Sequence, residues 1–290
     1  MSTSIRSITY PVCTFAVCIV LIAVSPTTTA QAQTQASCAF HQFSLPSSPQ
    51  IFVSGVNDSG TVVGFADFGK NSPQFRAFIH YSGCSTTFWV PSGATSSSFN
   101  GRNNAGVTTG TYVDASNHRH PFLRKGSTLT PISTPNQGGP VGINKYNTVV
   151  GGYSDSNGKS HGYRRYSNGS IIHLNYPGAI GTGAFGINDS GVIVGTYVGT
   201  DSAEHGFIYH SGQWAKLQLP NAPLSTELFG ISNAGVIVGQ GQAHAYLYEN
   251  GTAKEIPVPS SPQTEVRAIA PGGLIAGMAD LTHGFLASCH

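Results

Sequence analysis

Charge is scarce in this sequence. Asp, Glu, Lys and Arg make up 9% of its 290 residues, against about 25% in typical soluble domains. The formal net charge is only +2, so no basic face is implied and nucleic acid is not expected as a partner. Long apolar runs are nearly absent as well. The single run, Val12–Val24, is shorter than the roughly 20 residues of a membrane span. Cysteine is sparse, at 5 residues. Catalytic signatures are missing too: there is no Ser/His/Asp elbow and no carboxylate pair recurring near the strands that would line an axis. "GTGAFG" (Gly181–Gly186) leads into a strand, so it is not a nucleotide fingerprint.

Glycine, by contrast, is abundant at 36 residues. Together with many β-branched residues and little charge, it favours an all-β, turn-rich chain. The first 36 residues read as an export signal: Arg6, the apolar run, then small residues with cleavage expected after Ala32 or Ala36. Residues 37–290 then form the mature domain. Cys13 and Cys18 leave with the signal, and Cys38, Cys84 and Cys289 remain in an oxidising compartment.

The domain is built from repeats. "GVNDSGTVVG" (Gly55–Gly64), "GINDSGVIVG" (Gly186–Gly195) and "GISNAGVIVG" (Gly230–Gly239) are variants of one phrase. Its closing Gly recurs at Gly64, Gly110, Gly151, Gly195, Gly239 and Gly277. Periods of about 40–50 residues with strand chemistry suit four-stranded propeller blades. In each unit the first strand runs into a tight turn ending in Gly60, Gly106, Asn147, Gly191, Gly235 or Gly273. Five Gly and one Asn mark a left-handed backbone position. The third strand opens with "HPF", "HGY", "HGF", "HAY" and "HGF" at His120, His161, His205, His244 and His283, with Arg76 in the first unit. The fourth strand ends apolar-x-x-Pro in five units, and the missing sixth ending is "FSLP" (Phe43–Pro46), ahead of the first unit. A closed ring needs that strand to complete the last blade. The expected fold is therefore an all-β, six-bladed propeller of four-stranded blades.

These units resemble the bacterial exported HAF-repeat family. The resemblance rests on the Gly-Ile-Asn-x-x-Gly-x-x-x-Gly phrase and the His-Gly/Ala-Phe/Tyr element, and covers residues 55–290. It implies export and a propeller-like fold, and no particular reaction.

Aligning the blades makes a prediction about the cysteines. Cys289 falls at the position of Ser211, and Cys38 at that of Gly212, the two-residue turn of the fourth unit. The last unit lacks this turn because the chain ends and restarts there. A Cys38–Cys289 disulfide is expected, leaving Cys84 as the odd thiol.

Two sets of repeated polar residues are candidate ligand contacts. The five His fit either a ring binding a metal or an acidic ligand, or hydrogen bonds within each blade. Asn57, Asn103, Asn144 and Asn188 fit either the mouth of a channel or the chemistry of the turns they precede. Phe65, Tyr112, Tyr153 and Tyr197 near the ends of the second strands suggest packing between blades. No catalytic residue, metal or cofactor is expected. The function expected is an exported, monomeric module that binds an envelope or extracellular ligand, glycan or protein. The alternatives are a hydrolase or lactonase with an axial site, and a purely structural extracellular domain.

Overall fold

The computed structural model describes residues 27–29, 32–45, 50–69, 74–82, 85–222, 224–242, 244–258 and 265–289. Six sheets of antiparallel strands form the ring, and the described residues contain no α-helix, only a 3-10 turn at Pro135–Gln137. No described helix is long and apolar enough to cross a membrane. Blades 1 to 5 each use four consecutive strands. Blade 3, for example, comprises Gly139–Ile143, Val149–Ser154, Ser160–Arg165 and Ile171–Leu174. Blade 6 takes Glu265–Ile269, Ile275–Met278 and His283–Cys289, and completes itself with the N-terminal strand Cys38–Ser44. Pro46 and Pro259 of the expected strand endings lie outside the described residues, as does Cys84.

Closure follows the predicted register. Cys289 stands directly opposite Cys38, their Cα atoms are 4.1 Å apart, and the two are joined by a disulfide. Two further strands lie within the expected leader. Thr27–Thr29 pairs parallel with the outer strand of blade 4, and Ala32–Gln35 with that of blade 5. The apolar run before them lies outside the described residues.

The repeated glycines position the strands. A Cβ on Gly64, Gly110, Gly151, Gly195, Gly239 or Gly277 would lie 2.0–2.4 Å from a carbonyl oxygen of the first strand. Opposite each stands the aromatic residue of the His-x-aromatic element: Phe78, Phe122, Tyr163, Phe207, Tyr246 and Phe285. All six rings are buried. In five blades the ring itself occupies the space beside the glycine. The third-strand motif is thus the other half of the second-strand glycine. Closer to the axis, Gly55 and Gly101 approach one another backbone to backbone, as do Gly186 and Gly230. Six hydrophobic clusters lie between neighbouring blades. The cluster between blades 2 and 3 is the smallest, with Val107, Ile143 and Val149 buried against Leu123.

Candidate functional site

The two faces of the disc differ in kind. On one face lie the turns between first and second strands, and the polar groups there are engaged with one another. Asn57, Asn103, Asn144 and Asn188 are all buried. Each Oδ1 accepts a backbone N–H of its own turn, from Thr61, Val107, Thr148 and Val192 respectively. Each Nδ2 donates to the backbone carbonyl of the equivalent residue in the next blade: Asn103, Asn144, Asn188 and Ser232. The following residue forms a second belt. Asp58 N–H donates to Asn104 Oδ1, Lys145 N–H to Asp189 Oδ1, and Asp189 N–H to Asn233 Oδ1. Gly272 N–H donates to Asp58 Oδ1, bringing blade 6 onto blade 1. The left-handed turn residues appear as expected, with φ from 58° at Asn147 to 101° at Gly273.

The opposite face carries the hairpins between second and third strands, where the His residues sit. They do not converge. His120 Nε2 lies 2.8 Å from Asp114 Oδ2, and His161 Nε2 lies 3.0 Å from Asp155 Oδ2. His205 Nε2 lies 3.1 Å from Asp201 Oδ2, and His283 Nδ1 lies 2.9 Å from Asp280 Oδ2. His244 Nδ1 lies 2.8 Å from Glu255 Oε1. Hydrogen bonds from His120 and from backbone amides hold Asp114 down at about 2. Burial works against Asp280, but hydrogen bonds from Thr282 and His283 outweigh it and hold it at about 2. Among the described residues no group of three or more His, Cys, Asp or Glu is arranged to hold a metal ion.

Of the second-strand aromatics, Tyr112 packs in the cluster between blades 1 and 2 and Tyr197 in the one between blades 3 and 4, as the sequence suggests. Tyr112, Tyr153 and Tyr197 stand opposite His120, His161 and His205 within their own blades, with ring centroids 4.6, 5.0 and 5.1 Å apart. Phe65 is not their equivalent. It comes one residue sooner after its repeated glycine, and successive side chains of a strand point to opposite faces. It stacks on Phe52, centroids 4.7 Å apart, and lines the axial channel.

That channel is a cavity of about 390 Å³ bounded by the first strands of all six blades. A β-bulge just before each Gly-Ile-Asn segment sets the residue that enters it: Ser54, Asn100, Val141, Phe185, Phe229 and Arg267. The flanking residues repeat while this position does not. Nearer the His face, one cross-strand pair per blade sets the width of the mouth. The pairs are Phe52–Phe65, Ser98–Thr111, Gly139–Gly152, Gly183–Thr196, Glu227–Gln240 and Glu265–Met278. Blade 3 has no side chain at this level, and blade 4 has one, on Thr196. A groove of about 680 Å³ opens there, running from blade 2 across blades 3 and 4 to the axis.

The groove's walls are mixed. Tyr153, Phe185 and Ile180 supply apolar surface; Ile180 is 50% exposed. Thr196 is 7% exposed, and its hydroxyl has no hydrogen-bond partner among the described residues. At the rim, Asn136 and Gln137 are consecutive non-glycine residues at φ 44° and 54°. Non-glycine residues in this region are strained, and such strain gathers at ligand sites. Phe185 and Glu227 line both groove and channel. Glu227 titrates above the usual carboxylate range because partial burial disfavours its charge and it faces Glu204 and Glu265, with Arg267 opposing. Arg267 Nε and Nη2 both donate to Glu265 Oε2, at 2.7 and 2.5 Å. Its guanidinium lies 4.7 Å from the centroid of the Phe229 ring.

Sequence reasoning found no carboxylate pair near the first strands, and this is a correction: Glu227 and Glu265 occupy equivalent places on the first strands of blades 5 and 6. The signal was available, since each stands three residues before the position of the Gly-Ile-Asn glycine.

Among solved structures the fold is similar to AofleA from Arthrobotrys oligospora, at 11% identity over 89% of this chain and 88% of that one, with a TM-score of 0.50. It is also similar to XC5397 from Xanthomonas campestris, described as a gluconolactonase, at 11% identity over 93% and 99% of the two chains and a TM-score of 0.45. YCF48, solved bound to D1 peptide, matches at 13% identity over 87% and 81%, with a TM-score of 0.43. Likeness at these identities concerns the fold alone. No protein-family model matches the sequence, and no curated protein does.

Proposed function

We propose that this protein is an exported binding module that recognises an envelope or extracellular ligand, polymer or protein, in the groove over blades 3 and 4 and at the adjoining mouth of the channel. The observation that carries this reading is the contrast between repeated and unrepeated positions. Gly, Asn and the left-handed turn residue recur and hold the ring, whereas the bulge residues and mouth pairs differ from blade to blade. A purely structural disc has no need of the gap left where Gly139 faces Gly152. Export is supported by the leader-like N-terminal sequence, the resemblance to the HAF repeats and the Cys38–Cys289 disulfide.

The test is a glycan and peptide array probed with the purified protein, followed by mass analysis of any bound ligand after prolonged incubation. The expected result is binding without turnover, lost in Phe185→Ala and retained in Tyr146→Ala on the opposite face. Chemical conversion of the ligand would instead establish the hydrolase reading, with Glu227 and Glu265 as the first residues to substitute.

A further inference from the structure

We propose that the groove takes an elongated ligand with a primary ammonium group at its axial end and a carboxylate at its outer end, the chemistry of a short peptide with free termini. This rests on the groove being the recognition site.

The axial end of the groove is built for a cation. Glu227 has no hydrogen-bond or ion-pair partner among the described residues and borders both cavities. Glu204 lies in the same lining, its carboxylate accepting a 3.4 Å hydrogen bond from Ser225 Oγ and no other side-chain bond among the described residues. Among the described residues, Arg267 is the cation that acts on Glu227, and it is already committed to Glu265 and rests on Phe229. The acidic end is therefore left with uncompensated negative charge. Phe185 stands beside Glu227, with Phe229 behind it at 6.2 Å between centroids. The faces of aromatic rings attract cations, more strongly where water is excluded.

The outer end has the opposite sign. Arg119 and Lys159 both line it, and neither has a carboxylate partner among the described residues. An Arg119 Nη2 atom lies 3.8 Å from where a Cβ on Gly139 would stand, so this guanidinium reaches over the glycine floor from the blade 2 side, and Lys159 marks the outer end. Between the ends, Gly139, Gly152 and Gly183 leave a floor free of side chains. An extended chain can lie flat on a floor without side chains, and its two charged termini satisfy the two ends. A cavity of about 680 Å³ is also within the ordinary range for a small ligand. Burial and the two neighbouring carboxylates raise the Glu227 pKa, so an ammonium group that neutralises it relieves this repulsion on binding.

The test uses the purified disulfide-bonded protein and three probes: trialanine, N-acetyl-trialanine and trialanine amide, titrated by NMR or calorimetry. Trialanine is expected to bind, and acetylation or amidation each to weaken it about tenfold or more. Glu227→Gln should bring trialanine down to the level of the acetylated probe while leaving the acetylated probe unchanged. Lys159→Ala should do the same for the amide comparison. Equal binding of free and acetylated probes overturns the proposal, as does failure of trialanine to bind. If a neutral glycan binds and Gly152→Phe abolishes that binding while trialanine fails, the recognition site stands and its charge assignment falls. End-dependent trialanine binding that Gly152→Phe leaves unchanged would move recognition away from the groove and overturn both.

Discussion

Gly139 and Gly152 face one another across the first two strands of blade 3, and neither carries a side chain. The equivalent pair in blade 1 is Phe52–Phe65, whose rings stack 4.7 Å apart. One repeated position in one fold is thus filled on one side of the ring and empty on the other, and the emptiness makes the groove.

Adjacent glycines in blade 3 should respond in opposite ways. A Cβ on Gly152 would meet nothing nearer than the His161 carbonyl oxygen at 3.6 Å, whereas one on Gly151 would lie 2.1 Å from the Gly139 carbonyl oxygen. Gly152→Ala should melt like the wild type. Gly151→Ala should lose about 3 kcal/mol, the upper end of ordinary overpacking. Urea denaturation of the two variants decides this, and equal stabilities would contradict the packing described.

The Asn belt makes a graded prediction. Asn144→Ala removes the acceptor for the Thr148 N–H and the donor to Asn188 O, both buried, and should cost about 1–3 kcal/mol. Asn144→Ser should cost less. In blade 5, Ser232 Oγ already accepts the turn N–H of Val236 at 3.1 Å, with no side-chain donation onward to blade 6 among the described residues. If Ser and Ala destabilise equally, the turn bond contributes nothing.

Stability should pass through a maximum in mildly acidic solution. Asp114 and Asp280 have folded values of about 2 against an ordinary 3.8, and Asp155 and Asp201 are lowered as well. A depressed carboxylate stabilises the fold fully above its unfolded value. That contribution is lost as pH falls through the folded value, here from about pH 5 towards pH 2. His161 has the opposite sign. Its hydrogen bonds to Asp155 and Asn175 raise its pKa, so its contribution is present below 6.5 and fades as pH rises through the folded value. Denaturation midpoints across this range should fall on the acid side. The fall should be shallower in Asp280→Asn, and a midpoint independent of pH would contradict the pairing.

The ring clasp should matter for the whole domain. The Cys38–Cys289 bridge spans 251 residues, and tying a loop of that size restricts the unfolded chain by roughly 5 kcal/mol in the entropic view. Cys289→Ser should lower the denaturation midpoint markedly and make the strand Cys38–Ser44 the first region to exchange its amide hydrogens. Uniform exchange across all six blades would show that this strand is not the point of closure.

The architecture was legible because a repeat constrains itself. Six copies of a left-handed turn residue, a strand glycine and a third-strand element with an aromatic two residues after His or Arg leave a single ring register, and that register put Cys38 opposite Cys289. The Asn bonds between blades were hidden, since they join residues more than 40 positions apart whose contact depends on how blades stack. Phe65 was misgrouped by a shift of one residue, which in a strand reverses the face. The groove escaped notice for a different reason. It is made by missing side chains at Gly139, Gly152 and Gly183, and these glycines read in sequence as part of a glycine-rich β chain.

The most direct measurement of the central claim is a titration of one array-identified ligand against wild type and Gly152→Phe, with melting curves recorded on the same samples. Phe at this position reproduces the residue that blade 1 carries as Phe65 and fills the groove without touching the ring of Asn bonds. The account predicts unchanged melting and affinity reduced about tenfold or more. Undiminished affinity in Gly152→Phe would contradict it and place recognition elsewhere on the disc.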